Sequence, residues 1–136
     1  MEEYKGFSIT TEIGADISKV TSALNTILLK NGFRVIKKTD LSKEIMKDIS
    51  IKWLKYHIWD IIDAEITYKI LSINKYGGTF TPIRILIYEK GDNTIISVID
   101  PRLAARLIDN PTIIELAQEM GDRIKNALAE IENKFK

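Results

Sequence analysis

At 136 residues the chain is long enough for one domain with a proper core and too short for two. Its 45% hydrophobic and 29% charged content is that of a globular protein, and a formal charge of +1 lacks the excess of Lys and Arg on which nucleic-acid and anionic-membrane binding rest. The absence of cysteine excludes a disulfide scaffold, a thiolate zinc site and a cysteine nucleophile, and it suits a reducing cytoplasm. His57 is the single histidine, so His-rich metal sites and a Ser-His-Asp triad with a histidine to spare are not expected. The charged start Met1-Glu2-Glu3-Tyr4-Lys5 does not read as a signal peptide, and no apolar run approaches the ~20 residues that span a bilayer. Abundant isoleucine, frequent Lys and Glu, and a lone glutamine at Gln118 resemble hyperthermophile usage.

Phe7, Ile9, Thr11 and Ile13 alternate with more polar neighbours, the period of a half-buried strand. Gly14-Ala15 breaks it, and Asp16 is placed to cap a helix with Ile17, Val20, Leu24, Ile27 and Leu28 on one face. Asn31-Gly32 stops that helix, because both residues tolerate the left-handed conformation. Phe33 to Lys38 reads as a second strand. Leu41 to Ile49 reads as a short helix turning Ile45 and Met46 inward, and Trp53 to Ile62 as a strand-like segment. A helix over Ala64 to Ile73 follows, with Ile66, Ile70 and Leu71 at helical spacing. Asn74 to Thr81 contains Gly77-Gly78 and reads as a mobile linker. Ile83 to Glu89 and Thr94 to Ile99 flank the turn Gly91-Asp92-Asn93, the clearest hairpin in the chain. Asp100-Pro101 and Asn110-Pro111 are two helix starts of one design, a capping side chain before a proline. From Pro111 the positions Ile113, Ala117, Met120, Ile124, Leu128, Ile131 and Phe135 step by three or four, which predicts a long amphipathic helix.

The order and spacing of several segments carry a resemblance. Pro82-Ile83-Arg84-Ile85-Leu86-Ile87-Tyr88-Glu89, then Ser97-Val98-Ile99-Asp100-Pro101, then Asn110-Pro111 opening a terminal helix, resemble the family known as domain of unknown function 302. Gly32-Phe33-Arg34-Val35 and Tyr56-His57-Ile58 look like two of its strand starts, and the likeness covers nearly the whole of residues 1–136 as a single domain. The resemblance implies an α+β fold, one antiparallel sheet with helices packed on it in a TATA-binding-protein-like β-α-β-β-β-β-α arrangement. It also implies a homodimer, and it supplies no activity. Many members carry cysteines where this chain has Ile62 and Ile83, so any thiol chemistry of relatives cannot occur at those positions.

The densest carboxylate cluster is Asp60, Asp63 and Glu65, beside Trp59 and His57. It reads either as a cation or acid–base site, or as Asp63 capping the helix at Ala64 while Glu65 complements that helix's positive end; capping accounts for two of the three acids. Gly77-Gly78 precedes a strand and not a helix, so it lacks the positive helix end of a phosphate loop. Lys37, Lys38, Lys43, Lys47, Lys52 and Lys55 are threaded with Asp40, Glu44 and Asp48, the pattern of a solvated surface. The stretch worth probing is Tyr56 to Glu65, where Tyr56, His57, Trp59, Asp60 and Asp63 are the candidate ligand-binding residues. No catalytic residue, metal ligand or cofactor is assigned. The expected function is a non-enzymatic module that binds a small apolar molecule or another protein chain, and the resemblance implies a homodimer. A small hydrolase or metal-dependent enzyme using Asp60, Asp63 and His57 is the alternative, and nucleic-acid binding comes third.

Overall fold

The computed structural model describes Glu2–Tyr4 and residues 7–136. In chain order the elements are β1 (Glu2–Tyr4), β2 (Ser8–Ile13), α1 (Ile17–Lys30), β3 (Arg34–Asp40), α2 (Leu41–Ile49), β4 (Tyr56–Ile62), α3 (Ala64–Ile73), a 3-10 helix (Lys75–Thr79), β5 (Ile83–Lys90), β6 (Asn93–Ile99), α4 (Pro101–Arg106) and α5 (Pro111–Lys134). The strands form one antiparallel sheet in the order β1-β2-β6-β5-β4-β3. Without β1 and the short helices, the order is the β-α-β-β-β-β-α arrangement that the resemblance implies.

Strand side chains alternate between faces, so the register sorts the sheet into two surfaces. On one, Ile9 and Ile13 of β2, Ile96 and Val98 of β6, Ile83, Ile85 and Ile87 of β5, and Trp59 and Ile61 of β4 are buried. The apolar stripes of α1 and α5 close over this face. Val20, Leu24 and Leu28 of α1 and Ile113, Met120, Ile124, Leu128 and Ile131 of α5 join the strand residues in one core cluster. Each buried aliphatic side chain contributes about 1.5–3 kcal/mol, so this layer supplies most of the cohesion.

Local chemistry sets the element boundaries. Gly32 takes φ 88° and lets the Phe33 N–H reach back to the Leu28 carbonyl, which ends α1. In the β5–β6 hairpin Lys90 pairs with Asn93, leaving a two-residue loop in which Gly91 adopts φ 59°. Asp40, Asp63, Asp100 and Asn110 each accept a backbone N–H at a helix start, from Lys43, Ile66, Arg102 and Ile113 respectively.

Several expectations differ from what forms. Asp16 occupies the N-cap position of α1 but makes no capping bond; its carboxylate instead accepts from the Ser18 hydroxyl at 2.5 Å. Ile45 and Met46 do not turn into a core, since no residue of α2 is buried. β3 is an edge strand, and α2 follows directly from its end. The strand-like segment from Trp53 begins only at Tyr56. Asn74 to Thr81 is not an irregular linker. Asn74 caps a 3-10 helix by accepting the Tyr76 N–H, and Gly77 packs so tightly on α3 that an added Cβ would lie 2.5 Å from Ile70 Cγ2. The strand β1 falls in a stretch where the sequence shows only charge.

Asp100 does the most architectural work of the acids. It is 6% exposed, caps α4, and pairs with the Arg102 guanidinium. Its N–H donates to the Phe7 carbonyl at 2.9 Å, tying the start of β2 to the end of β6. Burial opposes its charge, but the Arg102 side chain and N–H outweigh that and hold its carboxyl below the usual carboxylate range. A group depressed in this way adds stability above its unfolded pKa of about 3.9, and the contribution is lost as pH falls through the folded value. Asp100→Ala should cost about 2 kcal/mol at neutral pH, from the lost cap and the lost ion pair with Arg102. Asp100→Asn should flatten the fall in stability below about pH 4. Urea unfolding across pH measures both, and an unchanged acid slope in Asp100→Asn would refute the assignment.

Candidate functional site

The five residues singled out in the sequence do not converge. Tyr56 and Asp60 stand on the sheet face away from α1 and α5, directly opposite Tyr88 and Arg84 of β5. His57 and Trp59, of the other parity, stand on the helix-covered face. Asp63 lies beyond the strand as the cap of α3. Its Oδ1 accepts the Ile66 N–H at 3.0 Å, and its Oδ2 accepts from Arg123 Nη1 of α5 at 2.5 Å. Burial works against the Asp63 charge, but the Ile66 N–H and Arg123 outweigh it and keep the carboxyl low. Glu65, the third acid of the cluster, pairs with Lys69 one turn on, at 3.1 Å. Among the described residues no group of three or more His, Asp or Glu side chains is placed to hold a metal ion.

His57 and Trp59 do share a shallow groove of about 540 Å³ with Lys38 and Asp40 of β3 and Thr21, Ser22 and Asn25 of α1. The Lys38 ammonium sits 4.5 Å from the centre of the buried Trp59 ring, a cation–π contact. The one acid here is committed. Asp40 accepts from the Ser42 hydroxyl at 2.7 Å and from the Lys43 N–H at 3.1 Å as the cap of α2.

The better-built concavity lies on the open face. A pocket of about 570 Å³ has a floor of Ser8 and Thr10 from β2, Ser97 and Ile99 from β6, and Arg84, Leu86 and Tyr88 from β5. Phe80 and Pro82, after the 3-10 helix, wall one end, while Phe7 and the first turn of α4, Pro101 and Ala104, wall another. Three hydroxyls run in a chain across the floor. Ser8 Oγ lies 3.2 Å from Thr10 Oγ1, which lies 2.8 Å from Ser97 Oγ. Arg84 is the charged side chain of the lining, two-thirds exposed, with its Nε 3.6 Å from Asp60 Oδ1.

Next to the pocket the same face carries an aromatic stack. Tyr56 and Tyr88 face each other across β4 and β5 with ring centres 5.0 Å apart, and Trp53 stacks on Tyr56 at 5.5 Å. The Lys55 N–H donates to the Glu89 carboxylate at 2.7 Å and the Glu89 N–H to the Lys55 carbonyl at 3.0 Å, which pins the segment bearing Trp53 beside the sheet. Burial, then Tyr88, raises the Tyr56 phenol above its ordinary pKa.

Sequence reasoning passed over the pocket, although a signal was present. In a sheet with one solvated face the outward positions are polar. Here β5 is apolar on both parities: Ile83, Ile85 and Ile87 point inward, yet Leu86 and Tyr88 occupy outward positions.

Comparison with known proteins agrees with this architecture. No curated protein matches the chain. A solved structure similar to it is described as the crystal structure of an uncharacterized conserved protein DUF302 from Bacillus stearothermophilus. It superposes with a TM-score of 0.81 over 96% of this chain and 98% of that one, at 18% identity. At that identity the likeness speaks for the fold alone. The family model described as Domain of unknown function DUF302 matches residues 9–131, nearly the full length, and on that match the chain belongs to this family.

Proposed function

We propose that this protein is a non-enzymatic binding module that takes a small, mainly apolar molecule on the open face of its sheet. The observation that carries the reading is the pocket itself, of drug-like size, walled by Phe7, Phe80, Pro82, Leu86, Tyr88 and Ile99 with a few hydroxyls on its floor. Pockets of this composition hold ligands by apolar contact and orient them by a few polar groups. An enzyme needs a nucleophile or base held against an orienting partner. The residues of the alternative hydrolase reading serve elsewhere: Asp63 caps α3 and binds Arg123, Asp60 pairs with Arg84, and His57 stands on the other face. Nucleic acid stays the weakest reading, because near-neutral charge offers little counterion release.

The reading is tested with a neutral naphthylamine dye that fluoresces in apolar sites. The parent protein should bind it at micromolar concentrations, and Leu86→Arg, which places a charge on the pocket floor, should weaken binding at least about tenfold. Equal binding by the two proteins would move the site elsewhere.

In the same reading the protein pairs with a second copy through the stacked end of this face. Trp53 is about half exposed in a stack continuous with Tyr56 and Tyr88, and aromatic clusters of this kind anchor interfaces. Two ion pairs on this face, Asp60 with Arg84 and Glu12 with Lys90, compensate their own charges. Light scattering at high micromolar concentration should give a dimer, and Trp53→Glu should give a monomer. A monomeric parent protein would end this part of the proposal.

A further inference from the structure

Resting on the apolar-ligand reading above, we infer that the ligand is a monocarboxylate with an aliphatic body, its carboxylate received by Arg84 and the hydroxyl chain of Ser8, Thr10 and Ser97. Three hydroxyls carry three O–H donors, and the contacts Ser8–Thr10 and Thr10–Ser97 use two of them. One donor is left over, on Ser8, Thr10 or Ser97 according to which partner donates in each contact, and all three residues line the pocket. A hydroxyl chain can run in either direction, so the free donor can appear at whichever end an acceptor is presented. The site therefore calls for an acceptor oxygen.

The sign of its charge comes from Arg84. This is the charged side chain among the described pocket residues, and it stands on β5 two positions from Leu86, which pairs with Ser97. Its nearest approach to its partner Asp60 is 3.6 Å, from Nε to Oδ1, which is an ion pair and too long for a hydrogen bond. Arginine presents five N–H donors in a fork that matches a carboxylate, so the guanidinium can still donate hydrogen bonds to a second anion. The leftover hydroxyl proton and the guanidinium thus offer donors around one apolar chamber. A ligand with two acceptor oxygens, one negative charge and a hydrocarbon body answers all three features. A bulky polyanion does not, because the rest of the wall is Phe7, Phe80, Pro82, Leu86 and Ile99.

The test compares octanoate with octanol, each displacing the neutral naphthylamine dye from the full-length protein below the micellar range. Octanoate should bind about tenfold more tightly than octanol, the size of one charge-assisted contact. In Arg84→Gln that preference should vanish while octanol binds as before, and in Ser97→Ala it should shrink, with circular dichroism showing both variants folded. Equal binding of octanoate and octanol by the parent would overturn the carboxylate inference and leave the apolar pocket standing. A preference that persists in Arg84→Gln would overturn the assignment of the head-group site. Binding of neither probe, nor of the dye, would overturn the apolar-ligand reading and this inference with it.

Discussion

Everything in this molecule depends on the two long helices covering the same face of one sheet. Strand side chains alternate, so a six-stranded antiparallel sheet offers two surfaces, and α1 and α5 together close only one of them. The isoleucines on that side, from Ile9 through Ile61, Ile85, Ile87 and Ile96, meet Leu24, Leu28, Met120, Ile124 and Ile131 in a continuous apolar layer. The second surface is left without a helical cover. Its outward residues include Ile58, Leu86, Tyr56 and Tyr88, which are half-buried by their neighbours alone. A face of that composition is where a ligand or another chain gains most from excluding water.

The acids of this chain are spent on architecture. Asp40, Asp63 and Asp100 each stand at a helix start, and Asp63 and Asp100 additionally pair with the guanidinium of Arg123 and of Arg102. Such groups are held ionised by their donors and are poorly suited to proton transfer. Close packing depends on them too. Gly121 in the middle of α5 has no Cβ, and one placed there would lie 3.3 Å from both Asp100 Oδ1 and Arg102 Nε. The helix thus leaves room for the ion pair that anchors α4, and α4 in turn supplies Pro101 and Ala104 to the pocket wall.

The likeness to the Bacillus stearothermophilus structure is one of fold. Two chains that share 18% of their residues keep one fold over nearly their whole lengths. Core layers tolerate exchange among apolar side chains of similar volume, provided that the pattern of faces is kept. Among the described residues no helix is long and apolar enough to cross a membrane.

What the sequence determined by itself is the local order. The helical stripe from Ile113 to Ile131 lies buried as its spacing predicted, the two Xaa-Pro helix starts cap as expected, and the hairpin turns at Gly91. These features rest on interactions within a few residues of each other, so a linear reading reaches them. Tertiary structure decided which residues meet. Asp63 finds Arg123 sixty positions away, and Thr10 finds Ser97 across the β2–β6 pairing. Tyr56 and His57 are neighbours in the chain yet face opposite ways, because adjacent strand residues cannot share a surface. The pocket draws on β2, β5, β6, α4 and the segment around Phe80, and its members are brought together only by strand order. A linear stretch such as Tyr56 to Glu65 concentrates suggestive side chains, but the period of the strand disperses them.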